Sequence, residues 1–113
     1  MSNSRVARGR ASEKHVADYW RQHGFPYCEP VGAFRPGADL TGTPGISVEV
    51  KARAGLSLPA WMRQAEQAAE HCLPILIVRN NGQGPASIGN WSAVLRHHDL
   101  MQLLHDAGWT DHE

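Results

Sequence analysis

Gly37-Ala38-Asp39-Leu40-Thr41-Gly42-Thr43-Pro44-Gly45, followed by Ile46-Ser47-Val48-Glu49-Val50-Lys51-Ala52-Arg53, is the stretch on which the reading of this chain turns. Residues 38–41 suit a short strand, Gly42 to Gly45 is turn chemistry, and residues 46–53 alternate strictly between apolar and polar side chains. The pattern predicts a hairpin. Alternation places Ile46, Val48, Val50 and Ala52 on one face and Ser47, Glu49, Lys51 and Arg53 on the other. Glu49 and Lys51 then stand side by side, roughly 6.7 Å apart along the strand. If the connection spans residues 42 to 46, Thr41 pairs with Ser47 and Asp39 falls opposite Glu49, with Cβ atoms about 5 Å apart.

Before the hairpin, Tyr27 to Phe34 supports only an edge strand, because Pro30 and Gly32 interrupt it. Further back, Ser12 reads as the cap of a helix running to about His23, with Val16, Tyr19, Trp20 and His23 on one stripe and Gly24 as the stop. After the hairpin, Ser57 and Pro59 open a helix whose stripe is Leu58, Trp61, Met62, Ala65, Ala68, Ala69 and Cys72. The run Ile75-Leu76-Ile77-Val78 is apolar on both faces, as a central strand covered on both sides requires. A loop over residues 80–85 and a strand from Trp91 to Leu95 follow. Asp99 and Gln102 read as a capping box opening a last helix with Leu100, Leu103, Leu104 and Ala107 on one face and Gly108 at its end. The expected fold is α/β, one domain with a mixed β-sheet flanked by helices, in the order α-β-β-β-α-β-β-α.

A length of 113 residues leaves room for one core, and 42% hydrophobic residues are enough to fill it. No apolar run approaches the roughly 18 residues of a membrane span, so a soluble protein is expected. Cys28 and Cys72 form no Cys-x-x-Cys pair and read as free thiols. A formal charge of zero conceals an asymmetry. Residues 1–56 carry eight basic groups against five acidic ones, and residues 57–113 three against six, so the first half can present an anion-binding face. Three of the basic groups, Arg5, Arg8 and Arg10, fall within residues 1–10, which read as a flexible basic arm, with residues 109–113 as a tail.

Asp39 facing Glu49 creates an electrostatic problem. Two carboxylates so close repel, and one tends to stay protonated unless a cation lies between them. All-oxygen ligation by Asp39, Glu49, a main-chain carbonyl such as that of Val50, and water suits Mg²⁺ or Mn²⁺. Lys51 beyond the ion can polarise a water or stabilise charge on a phosphate under attack. Glu-x-Lys alone recurs on solvated strand faces, so the neighbours matter. Glu13 falls on the core-facing stripe of the first helix, where it is either a first-turn acid favoured by the helix dipole or a third carboxylate of the site. Gln64 flanks the buried stripe of the second helix, where its amide either meets the site or faces water.

The set Gly9-Arg10-x-Ser12-Glu13, Gly37-Ala38-Asp39-Leu40-x-Gly42, Val48-Glu49-Val50-Lys51 and Gln64 resembles the PD-(D/E)XK nuclease superfamily, and within it the small Holliday-junction resolvases of archaeal type that also occur in phages. The likeness spans roughly residues 8 to 80, and Ala38 stands where the superfamily's eponymous proline would be. It implies a restriction-endonuclease-like core over residues 11–108, with Asp39 and Glu49 binding Mg²⁺, Lys51 assisting the attacking water and Glu13 completing the acidic site. It also implies a homodimer that cuts opposite strands of branched DNA in the cytoplasm of a bacterial or phage-infected cell. Arg5, Arg8, Arg10, Arg35 and Arg53 are then candidates for phosphate contacts. Two other readings stay open: a nicking or restriction-like enzyme acting on duplex DNA, and an inactive DNA-binding or assembly protein on the same fold.

Overall fold

Leu73–Val78 (β4) has no polar side chain, and such a strand is stable only where both faces are covered. In the computed structural model, which describes residues 3–32, 37–52, 55 and 57–112, β4 is the middle strand of a three-stranded sheet. Ile46–Lys51 (β3) pairs with it in parallel, Ile46 beside Leu73 and Lys51 beside Val78, and Ser92–Val94 (β5) pairs with it antiparallel. Helix Leu58–Ala69 (α2) makes the crossover from β3 to β4, as a parallel pair demands. A separate antiparallel pair joins Glu29–Pro30 (β1) to Leu40–Thr41 (β2). Helices Asn3–Gln22 (α1) and His97–Asp106 (α3) complete an α/β fold in the expected order, with a 3₁₀ segment, Pro85–Asn90, inserted before β5.

The two faces of the sheet carry separate cores. On one, α1 brings Val16 and Ala17 against Val48, Val50, Leu40, Cys28 and Trp91. On the other, Trp61 and Met62 of α2 cover Leu76 and Val78. The β3 alternation is therefore real, but its polar face is not solvated: Ser47 and Glu49 are as buried as Val48 and Val50. The expected stripe of α2 holds at Trp61, Met62, Ala65 and Ala69, whereas Cys72 lies beyond the helix and is exposed. Both cysteines are free.

Several boundaries differ from expectation. Helix α1 begins at Asn3, and Ser12 lies inside it rather than at its cap: its hydroxyl donates to the Arg8 carbonyl one turn back at 2.8 Å. Residues 3–10, read as an arm, belong to this helix. Its other end follows expectation, with Gly24 at φ 111° and the Phe25 N–H closing on the Trp20 carbonyl at 3.1 Å. Helix α3 starts at His97, so Asp99 sits in its first turn and Gln102 bonds Asp106 instead of forming a capping box.

The hairpin is the main correction. Residues 39–41 return toward β3, but no β-ladder joins β2 to β3, and the register of Thr41 with Ser47 is not formed. Instead β3 gives its odd-numbered backbone groups to β4. The N–H of Leu73 donates to the Gly45 carbonyl and that of Arg79 to the Lys51 carbonyl, both at 2.8 Å. Even-numbered groups consequently face outward. One residue docks there: the Asp39 N–H donates to the Val48 carbonyl at 2.9 Å, and the Asp39 carbonyl accepts from Val31 N–H at 2.9 Å. Asp39 thus stitches the β1–β2 pair to the edge of the larger sheet. No helix among the described residues is long and apolar enough to cross a membrane.

Gly42 makes this docking sterically feasible. It has φ 79°, and a Cβ there would lie 2.1 Å from the Tyr27 carbonyl oxygen. Gly45 has φ 78° but open space around it. Gly42→Ala should therefore cost at least about 2 kcal/mol, against about 1 kcal/mol for Gly45→Ala, read as the difference in urea midpoint at unchanged slope.

Candidate functional site

Four chain segments converge at the carboxyl end of β3. The Asp39 carboxylate accepts the Val50 N–H through Oδ2 at 2.8 Å, replacing the ladder bond that a strand residue would have made. Glu49 is buried, with Lys51 Nζ 3.9 Å from its Oε2, and Gln64 Nε2 donating to the same oxygen at 3.1 Å. Oε1 of Glu49 is buried without a hydrogen-bond partner among the described residues. Glu13 approaches from α1, near enough to Asp39 for each carboxyl to act on the other's charge.

The electrostatics follow from this crowding. Burial pushes Glu13 up to about 7, and Asp39 beside it adds to the shift, with Arg10 and Lys51 opposing it. Glu49 is likewise raised to about 7, first by burial and then by the facing Asp39. Asp39 is raised by burial, while the Val50 N–H and the Lys51 ammonium favour its charged form. Three acids thus share a partly dehydrated space with one ammonium, and the site is short of positive charge.

A divalent cation would supply that charge, and the donors present suit a hard ion. Asp39 and Glu49 offer carboxylate oxygens, and Glu49 Oε1 has no hydrogen-bond partner among the described residues. The backbone carbonyl of Val50 belongs to the outward-facing set on the β3 edge. Asp39 interacts with both other acids, and Glu13 and Glu49 also repel each other. Among the described residues no three His, Cys, Asp or Glu side chains are gathered tightly enough to cage an ion. Two carboxylates suffice for Mg²⁺, which ordinarily keeps several waters and takes further oxygens from a phosphate.

Of the residues singled out in the sequence, Glu13, Asp39, Glu49, Val50, Lys51 and Gln64 meet here. The arginines are more scattered. Arg10 lines an open groove of about 570 Å³ between α1 and β1 with Glu13, Lys14, Arg21, Glu29 and Pro30. Arg21 is engaged with Asp18 and the Cys28 carbonyl. Arg5 lies in the first turn of α1, and Arg35 and Arg53 lie outside the described residues. Arg8 is half-buried and points to the loop after β4, with Nη2 3.4 Å from the Asn80 carbonyl. Arg79, which periodicity marks only as the end of a strand, lies beside it and was not legible as a functional candidate.

A carboxyl whose pKa is higher in the folded than in the unfolded chain takes up a proton on folding, so stability falls as pH rises from the unfolded value. For Glu13 and Glu49 that window runs from 4.5 to about 7. In EDTA the urea midpoint should decline across this window and then level. Glu49→Gln, which removes one of the two groups, should flatten the decline and exceed the parental protein in stability at pH 8. Compared with known proteins, the chain matches no family model, no curated protein and no solved structure.

Proposed function

We propose that this protein is a metal-dependent endonuclease that hydrolyses phosphodiester bonds in DNA, with branched DNA as its substrate. The observation that carries the reading is the meeting of Asp39, Glu49 and Lys51 at one end of β3, where buried acids outnumber the cation beside them. A structural ion pair would need one acid for one ammonium; here the surplus acids call for a further positive partner. Arg10 and Lys14, which line the groove beside Glu13 together with Glu29, offer contacts for the phosphates of an anionic polymer.

Asp39, Glu49 and the Val50 carbonyl would hold Mg²⁺ or Mn²⁺. Bound there, the ion would lend positive charge to a phosphate oxygen and make a water more acidic. Asp39 is held in place by the Val50 N–H and Glu49 by the Gln64 amide, so neither ligand must reorganise to bind. Lys51 Nζ donates a hydrogen bond to the attacking water or to the phosphate and offsets the charge that builds as the oxygen adds to phosphorus. As the water oxygen bonds to phosphorus it gives up a proton to solvent, one P–O ester bond breaks, and the leaving oxygen takes a proton from solvent. Glu13, one of the two acids acting on Asp39, tunes the proton affinity of that carboxylate. The likeness to junction resolvases brings with it a homodimer that places two such sites on opposite strands.

In Mg²⁺, Asp39→Asn and Glu49→Gln should each reduce cleavage of a synthetic four-way junction by at least about 100-fold, and EDTA should abolish it. Gln64→Ala should cost about 10–100-fold by loosening Glu49. Lys51→Ala should lose about 100-fold in turnover while retaining DNA binding. Parental rates in either acid variant would refute the site. Digestion of linear, flapped and four-way substrates side by side separates a resolvase, with paired symmetric cuts, from a nicking or restriction-like enzyme. DNA binding without metal-dependent cleavage would instead identify an inactive binding protein.

A further inference from the structure

One feature near the acidic site carries positive charge without a counter-charge. Arg79 directly follows β4, donates through Nη1 to Ser12 Oγ at 3.0 Å and through Nε to the Gln83 carbonyl at 2.8 Å, and lies with its guanidinium carbon 5.1 Å from the Trp91 ring centroid. Arg8, one helical turn before Ser12, places Nη2 against the Asn80 carbonyl, while its buried Nε has no hydrogen-bond partner among the described residues. Ser12 links the two residues, its hydroxyl bonding the Arg8 carbonyl and accepting from Arg79, and burial first, then the nearby Arg8 charge, disfavours the charged form of Arg79. Among the described residues no carboxylate lies within ion-pair distance of either.

Every group that holds this pair is neutral: a serine hydroxyl, two backbone carbonyls and an indole face. Two like charges fixed together on neutral supports repel each other, and an anion between them relieves the repulsion. Guanidinium forks match tetrahedral oxyanions, bonding two oxygens at once, and a donor left unmade inside the fold is costly unless a ligand supplies its acceptor. The location identifies the anion. Arg79 N–H donates to the Lys51 carbonyl, so the pair lies one strand over from Lys51, at the same carboxyl end of the parallel strands, where neighbouring strands are about 4.8 Å apart. Helix α1 serves both places, Ser12 facing Arg79 and Glu13 facing Asp39.

We propose that Arg8 and Arg79 form a phosphate-binding subsite that holds a backbone phosphate of the nucleic acid adjacent to the one hydrolysed. The assignment of the phosphate to DNA rests on the nuclease reading; the anion site itself does not. Holding a second phosphate fixes the register of the strand over the acids without reading its sequence.

The test has two arms on the full chain. In the first, inorganic phosphate is titrated while the arginine Nε–H resonances are followed by NMR. Arg8 and Arg79 should shift saturably, Arg21 should not, and chloride at matched ionic strength should move none of them. Absence of a saturable shift at Arg8 and Arg79 overturns the subsite. In the second, binding to a four-way junction is measured in EDTA across a salt series. Arg79→Gln and Arg8→Gln should each weaken binding about tenfold and make the slope of log K against log salt less negative by about 0.9. Arg79→Lys, which keeps the charge but not the fork, should restore the slope while leaving affinity reduced. Well-dispersed amide spectra for each variant separate lost contact from lost folding. Phosphate-induced shifts with an unchanged DNA slope overturn the backbone assignment in favour of a free phosphate ligand. If the parental protein neither binds nor cuts DNA, the nuclease reading fails, and with it the DNA half of this proposal, whatever the phosphate arm reports.

Discussion

Glu49 cannot escape to water. It occupies the second face of a strand whose first face is packed under α1, and α2 closes over the second with Trp61 and Met62. A carboxylate in that position must be neutralised, paired or hydrogen-bonded, because an isolated buried charge is among the most expensive things a fold can contain. The molecule uses all three remedies in part: Lys51 from the same strand, an amide from Gln64, and a raised proton affinity. The partial character of each is the point. A strand built only for stability would carry valine or isoleucine at 49, as it does at 48 and 50 on either side.

That constraint explains how much could be read from the residues alone. Periodicity exposed β4 and α2 because their burial is expressed in runs of side chains, Ile75 to Val78 and Leu58 to Ala69, and hydrophobic burial leaves a mark at every position it touches. The adjacency of Glu49 and Lys51 was legible because strand alternation is rigid. The hairpin register that set Asp39 opposite Glu49 was not. Gly42 to Gly45 signals that the chain turns, but turn chemistry does not say whether the returning segment pairs by a ladder or docks by one residue, and β3 had a stronger partner in β4. Ser12 misled for a related reason: a hydroxyl bonded to backbone is the mark of a helix cap, and in α1 the same bond runs backward to the Arg8 carbonyl. Arg79 left no local trace, since its neighbours Ser12 and Trp91 are far away in the chain and only tertiary packing assembles them.

The fold also divides labour between its helices. Both parallel strands end at the same level, and in open α/β sheets the carboxyl ends of strands are where loops and helix faces can converge on a ligand. Helix α1 serves this end with Glu13 on one side and Ser12 with Arg8 on the other; α2 contributes Gln64. Helix α3 takes no part. It buries none of its residues, and Leu100, Met101, Leu103 and, just beyond it, Trp109 remain exposed.

Asp39 does two jobs with one side chain. Its carboxylate bonds the Val50 N–H, and its own backbone joins the β1–β2 pair to β3, so it belongs to the scaffold as much as to the acidic cluster. Selection on the fold alone would therefore retain an acid or an amide at this position in a descendant that had lost all chemistry. Nothing comparable protects Glu49 or Lys51, whose replacement by apolar residues would relieve a buried charge rather than undo a seam. In any wider set of relatives, positions 49 and 51, and not 39, are where loss of the proposed activity should first become visible.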